Sequence, residues 1–540
     1  MSIINFKRAG IVSVAFLLII AGCSKKELSA SGGGGIVTPV TPTALQLVLD
    51  SVYMYAHQLY FWNTKIPTYA QFNPLQYAVS NNSDSINLMN ELFAFTVTYN
   101  SAINSQTNRS YEFYAADSSS PGNYAGPKYS YFQDSTTHGK TAAIANSSDY
   151  LGGTDYGFGF YPGIWDDTTL LIRYVENGSP FSKNGIQRGD RILTINNTSM
   201  NFTTNSTAAL KVVNSVLSSS NTSSATFVIQ QTRNGIMDTI TLNNLPPAYF
   251  TYNPIFKDTI VTASNGAKVG YIAYQSFTIW DGSSSTVLQN AFTAFADSSI
   301  TDLVIDLRYN GGGYVVTSQN FANLAAPSSA NGKTMFTEYY NDTMTSGNAT
   351  LLAKQGYPVS ASYWSASNNT YKFSKMGSVG SLTRIIFLVS GNTASAAELL
   401  INNLKPYLNV ILIGTQWETG SGNHTYGKPV GFFPINIGKY VYYFPEFASG
   451  NATDPAGGAT YYNGIAVNNA STDDARYNFG NPKETAFAQA LYYIVNGSYN
   501  NNYNAGHISN LRSINTLSLK NTFKQSSYFN GMIHNPVNRR

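Results

Sequence analysis

Four short apolar runs, Lys268–Tyr274, Leu303–Leu307, Arg384–Val389 and Val410–Gly414, carry the β-branched and aromatic content of buried strands. Helix-patterned stretches such as Thr286–Ala296 separate them. Strands alternating with helices bury a sheet under helical layers, so this segment predicts an α/β core around a central sheet. The 540 residues leave room for further domains on either side.

Two of these runs end in turns with chemical content. Leu303-Val-Ile-Asp-Leu-Arg308 leads into Tyr309-Asn-Gly-Gly-Gly313, where the backbone can approach a ligand closely. Such a loop is a source of N–H donors for an oxyanion, and it is also what an ordinary tight turn looks like. Arg384–Ser390 leads into Gly391-Asn-Thr-Ala-Ser395, and Ser395–Tyr407 has helical apolar spacing. Ser395 therefore sits on a strand-to-helix turn, where free N–H groups and partial positive charge favour an anion. The same residues also read as a capping box, Ser395-x-x-Glu398, in which the two side chains satisfy orphan helix N–H groups. Lys428 follows in Thr425-Tyr-Gly-Lys428, which adds an amine to the serine hydroxyl. An amine with an ordinary pKa of about 10.4 cannot accept a proton from serine at neutral pH, so Lys428 would need burial. Tyr426, Pro429, Val430 and Phe432 offer that apolar cover.

Taken together, Asp306–Gly313, Thr393-Ala-Ser-Ala-Ala-Glu398 and Tyr426-Gly-Lys428 resemble the carboxy-terminal processing, or tail-specific, proteases in order and spacing. The resemblance extends over roughly residues 150–498. It implies a crotonase-like or ClpP-like sheet with helices, Ser395 as nucleophile and Lys428 as general base. It also implies an oxyanion hole from the N–H groups of Gly312 or Gly313 and Ala396. Two departures matter. Many members carry a glutamine four residues after the lysine, where this chain has Phe432, and the loop from Gln416 to His424 is longer than usual. That loop holds Glu418 and His424, so a Ser/His/Glu triad with His424 as base is the competing assignment.

A second resemblance precedes the core. Tyr156-Gly-Phe-Gly-Phe160, Leu170–Val175, Gly185-Ile-Gln-Arg-Gly-Asp-Arg-Ile-Leu-Thr-Ile195 and Ala225–Gln231 look like a PDZ domain. Carried over, Gly157, Phe158 and Gly159 would hold a polypeptide C-terminus while an edge strand adds the peptide to the sheet. A PDZ fold kept as a lid without peptide affinity is the other reading.

The remaining chain sets the address. Lys7 and Arg8 precede an apolar run over Ala9–Ala21 and Ile20-Ala-Gly-Cys23, a secretion signal ending in a lipobox, with lipid expected on Cys23. Cys23 is the single cysteine, so no disulfide is expected. These features place the protein in the bacterial cell envelope, anchored by lipid to a membrane and facing the periplasm or exterior. Only 11% of residues are charged and the net charge is +4, without a basic stripe, so nucleic acid is not an expected partner. The other histidines, His57, His138, His507 and His534, lack ligand-like spacing, and neither a metal nor a cofactor is expected.

The expected organisation is multidomain: a signal peptide over 1–22, a flexible tether over 23–44, a small, mostly helical N-terminal domain over 45–152 and a PDZ domain over 153–246. The protease core follows over 247–498, and 499–540 is an Asn- and Ser-rich extension without periodicity. The sequence predicts a lipid-anchored serine endopeptidase acting on polypeptides presented by their C-termini. A non-catalytic peptide-binding lipoprotein on the same scaffold is the alternative.

Overall fold

The computed structural model describes residues 41–113, 127–135, 151, 153–166, 169–218, 222–233, 235–251, 253–382, 384–416, 423–454, 461–503 and 531–534. The signal segment, Cys23, Glu418 and most of the tether and C-terminal extension lie outside these residues. Ala44 onward forms one compact unit.

Helix α1 (Ala44–Leu59) buries Leu49, Val52, Tyr53, Ala56 and Leu59, the spacing of one helical face. Helix α2 (Asp84–Phe93) is capped by Ser83, whose hydroxyl accepts the Ile86 N–H. Both faces join one hydrophobic cluster with Ile272, Leu303 and Phe387 of the central sheet. The N-terminal helices thus share the core of the catalytic segment rather than enclosing one of their own.

The expected PDZ segment contains β1 (Thr154–Gly157), β2 (Phe160–Asp166), β3 (Thr169–Val175), β4 (Arg191–Ile195), α3 (Phe202–Leu217), β5 (Ala225–Arg233), β6 (Ile236–Leu245) and β7 (Ala248–Thr251). Its sheet runs β6-β5-β4-β3-β2, leaving β2 at an edge, and β1 pairs with β7. Phe158, Phe160, Phe181 and Phe227 form its separate core, with Phe160 stacked on Phe181 at 4.3 Å.

In the α/β core, β8 (Ile255–Thr262) and β9 (Lys268–Tyr274) are antiparallel, and α4 (Gly282–Asp297) follows. Next come β10 (Asp302–Asp306), β11 (Gly312–Tyr314), α5 (Val315–Ala325), β12 (Arg384–Ser390), α6 (Ala396–Leu404) and β13 (Asn409–Gln416). The chain closes with β14 (Val430–Gly431), β15 (Asn469–Thr472), α7 (Thr485–Asn496) and β16 (Gly531–Ile533). The sheet order is β8-β9-β10-β12-β13-β15, parallel from β9 onward. Strands covered on both faces read as unbroken apolar runs, and that is why these four were visible in the sequence. Because β10 and β12 are parallel neighbours, Asp306 opposite Leu388, the glycine loop and the serine turn leave the sheet side by side at the strands' C-terminal ends.

Gly531–Ile533 forms a parallel strand beside β11, and Met532 is fully buried. Its polar, aperiodic surroundings hid it in the sequence.

Candidate active site

Ser395 opens α6 with φ 60° and ψ −113°, a conformation costing a non-glycine residue about 1–3 kcal/mol. The turn that imposes it is tied to the neighbouring strand. The Ser390 hydroxyl donates to Arg308 O at 2.6 Å, the Thr393 hydroxyl to Leu307 O at 2.7 Å, and the Ala394 N–H to Asn310 O at 3.2 Å. Ser395 and Glu398 stand in the capping-box arrangement, but only the Glu398 side makes a hydrogen bond. Glu398 Oε2 accepts the Ser395 N–H at 2.9 Å, whereas Ser395 Oγ, fully buried, has no hydrogen-bond partner among the described residues. A buried hydroxyl without a hydrogen bond calls for an explanation.

The glycine loop is built around Asn310. Its amide donates to Tyr274 O at 3.0 Å and its Oδ1 accepts the Gly312 N–H at 2.9 Å. That bond engages Gly312, so of the two expected donors in this loop Gly313 is the one left facing the cleft. Gly312 and Gly313 hold φ of 118° and 138°, open to glycine alone. A methyl group on Gly312 would also lie 3.1 Å from Ser395 Cβ, and one on Gly313 would collide with Phe277 O. The loop therefore touches the serine through bare backbone. Ala396, the third expected donor, is the first residue of α6, where an N–H has no intrahelical acceptor.

Lys428 is 2% exposed. Burial pushes its pKa down to about 7; Glu112 opposes this, the Lys128 charge adds to it, and Glu398 opposes it weakly. The amine lies 4.7 Å from the Phe432 ring centre and 5.9 Å from that of Tyr129, so Phe432 supplies apolar cover and a ring face to it. Glu398 does the positioning. Besides the Ser395 N–H, its carboxylate accepts the Gly427 and Lys428 N–H groups, each at 2.7 Å, and the Thr425 hydroxyl. One buried side chain therefore fastens the serine turn to the lysine segment. Burial raises its pKa, against the pull of those four donors.

His424 does not join this arrangement. It is exposed, and its Nδ1 lies 2.7 Å from Thr425 O, its own neighbour's carbonyl, while Ser395 is buried. No hydrogen bond joins His424 to Ser395 among the described residues, and Glu418, the third member of the histidine-based alternative, lies outside them.

Three contributors, Glu112, Lys128 and Tyr129, come from the end of the segment expected as the N-terminal domain. The Tyr129 hydroxyl donates to Gly427 O at 2.8 Å, and its N–H donates to Glu112 Oε2 at 2.8 Å. Lys128 Nζ donates to Tyr462 O at 2.7 Å, and burial lowers its pKa to about 8. No periodicity marks these residues, and only their place beside Lys428 reveals them. In the PDZ segment, Gly157 and Gly159 have φ of 143° and 73°, and Phe158 turns its ring into the core against Phe227 at 5.0 Å. Phe158 can therefore offer a ligand its backbone alone. Among the described residues no group of three or more His, Cys, Asp or Glu could hold a metal ion.

Residues 268–446 match the peptidase family S41, with the glycine loop, Ser395 and Lys428 all inside the match. Through this segment the chain is similar to the S41 peptidases. Residues 148–218 match the PDZ domain. The chain is 26% identical over 260 residues to the chloroplastic C-terminal processing peptidase of Tetradesmus obliquus. That alignment covers 46% of each, so the chain spans about half the length of this relative. An S41 protease structure from Bacteroides fragilis shares the fold at 19% identity and a TM-score of 0.50, covering 83% of this chain and 97% of the other.

A buried ion network joins the PDZ-matched segment to the α/β core. Arg188 of the PDZ segment contacts Asp473 at 2.5 Å and the Tyr309 hydroxyl at 2.6 Å. Arg308 binds Asp306 at 2.6 Å, Asp473 at 2.9 Å and Glu484 at 2.8 Å. The two guanidinium groups hold the Asp473 carboxyl well below its ordinary range despite burial. Arg308 and Tyr309 lead directly into the glycine loop, so the PDZ segment grips the strand end that aims it.

Proposed function

We propose that the protein is a serine endopeptidase of the cell envelope that cuts polypeptides with a Ser395/Lys428 dyad. The reading rests on one observation: a buried, unpartnered Ser395 hydroxyl shares the Glu398 clamp with a buried lysine whose pKa is lowered to about 7. Neutral Lys428 takes the hydroxyl proton as Ser395 Oγ attacks the scissile carbonyl carbon. The N–H groups of Gly313 and Ala396 receive the oxyanion. The C–N bond then breaks, Lys428 returns the proton to the leaving amine, and water hydrolyses the acyl-enzyme by the same route.

The PDZ domain supports recognition of polypeptide C-termini, with the Gly157–Gly159 backbone at the chain end and the β2 edge open to strand addition. Similarity to the C-terminal processing peptidase of Tetradesmus obliquus supports C-terminal processing as the class of reaction. The lipobox at Cys23 supports anchoring through lipid at a bacterial membrane, facing the periplasm or exterior. Substituting Cys23→Ala should release the protein from the membrane fraction.

The test is cleavage of a denatured polypeptide by the wild-type protein, Ser395→Ala and Lys428→Ala, with binding of the same polypeptide measured in parallel. Cleavage confined to the wild type supports the dyad. Binding without cleavage by the wild type would favour the peptide-binding lipoprotein.

A further inference from the structure

The cleft beside Ser395 is occupied by the chain's own C-terminal segment. Phe277 N–H donates to Gly312 O at 2.9 Å and Tyr314 N–H to Phe277 O at 2.8 Å, so residues 312 and 314 face Phe277. Gly313, between them, turns its N–H and C=O the other way, toward β16. On the far side of β16, Phe432 N–H donates to Met532 O at 2.8 Å and His534 N–H donates to Phe432 O at 2.9 Å. Met532 and His534 thus face the lysine segment, while Gly531 and Ile533 face Gly313. With Gly313 opposite Met532 in a parallel register, the Gly531 carbonyl is directed at the Gly313 N–H. A methyl group on Gly312 would strike that carbonyl oxygen while lying 3.1 Å from Ser395 Cβ.

The segment is therefore a strand threaded between the glycine loop and the lysine segment, with one peptide carbonyl at the oxyanion donor beside the nucleophile. An anchor fixes this register. His534 Nδ1 lies 2.7 Å from Glu338 Oε1, and the Tyr340 hydroxyl donates to Glu338 Oε2 at 2.9 Å, all of it buried. Met532, fully buried, fills the interior one residue after the carbonyl.

We propose that this segment is a built-in substrate and that the protein cuts itself in cis between Gly531 and Met532. The proposal rests on the dyad described above. Ser395 Oγ bonds to the Gly531 carbonyl carbon, its proton passing to Lys428. The Gly531–Met532 bond breaks, the Met532 nitrogen takes that proton, and Met532–Arg540 leaves as a free peptide. Water then hydrolyses the Gly531 ester and leaves a new C-terminal carboxylate at Gly531. Trimming removes the strand from the cleft and opens it to other polypeptides.

Mass spectrometry of the C-terminal peptide of the purified full-length protein tests this, with a denatured polypeptide as a second substrate. The wild type should end at Gly531 and Ser395→Ala at Arg540, with release of Met532–Arg540 at a rate independent of protein concentration. His534→Ala should slow release by about tenfold, the scale of losing one buried charge-assisted hydrogen bond. A wild-type chain that cuts the denatured polypeptide yet still ends at Arg540 would overturn the cis cleavage and leave the protease reading intact. If neither substrate is cut, both fall.

Discussion

At the scale of single residues, the account depends on an amine that is neutral near pH 7. The neutral form is the base, so kcat/KM should rise with pH through about 7 and level off above it. The unfolded lysine titrates near about 10.4, so between the two values the unfolded chain binds more protons and this group's contribution to stability increases with pH. Replacing the buried amine by an apolar side chain in Lys428→Met should abolish cleavage while keeping the melting temperature at pH 7 equal or higher. Phe432→Gln introduces a polar amide where the ring now excludes water, so the acid limb of kcat/KM should move to higher pH. The proposed pair Ser395 and Lys428 could be picked out because turn residues and spacing mark them. Tyr129 and Glu112 were not, because their role comes from tertiary placement of a segment without periodicity.

At the scale of elements, the decisive feature is the fastening of the serine turn to the lysine segment. Glu398 reads in sequence as half of a capping box, and the structure keeps its half while freeing the serine. The partners it gains, Thr425, Gly427 and Lys428, lie some thirty residues on, beyond the reach of any local pattern. Glu398→Gln puts an N–H₂ group against backbone N–H donors, at a cost of about 1–3 kcal/mol per unpaired group. Calorimetry should show that loss, and kcat should fall more than KM changes, as expected for a positioning residue. Four of the five parallel strands were visible because burial on both faces leaves only apolar residues, whereas β16 has three residues in a polar tail and offered no pattern.

At the scale of the whole molecule, one ion network joins the PDZ segment to the strand that ends in the glycine loop. Arg188→Ala removes a partner from the buried Asp473 and should destabilise the chain by about 3–5 kcal/mol in denaturant unfolding. Its effect on turnover should exceed that of changing an exposed arginine such as Arg476, whose solvent-facing guanidinium pairs with the buried Asp474. The PDZ fold was legible from its glycine loop and the Gly185–Ile195 run, but the use of Arg188 inside that run as a bridge to another domain was not. The N-terminal helices were legible by period, although their sharing of the catalytic core was not, since period reveals a buried face but not its partner. The central claim is that Ser395 and Lys428 act as a dyad, and the most direct test is kcat/KM against pH on a denatured polypeptide for the wild type and Lys428→Ala. The account predicts a wild-type activity rising with a single proton through about pH 7 and a loss of about 10³-fold or more in the variant; parental activity in Lys428→Ala would contradict it.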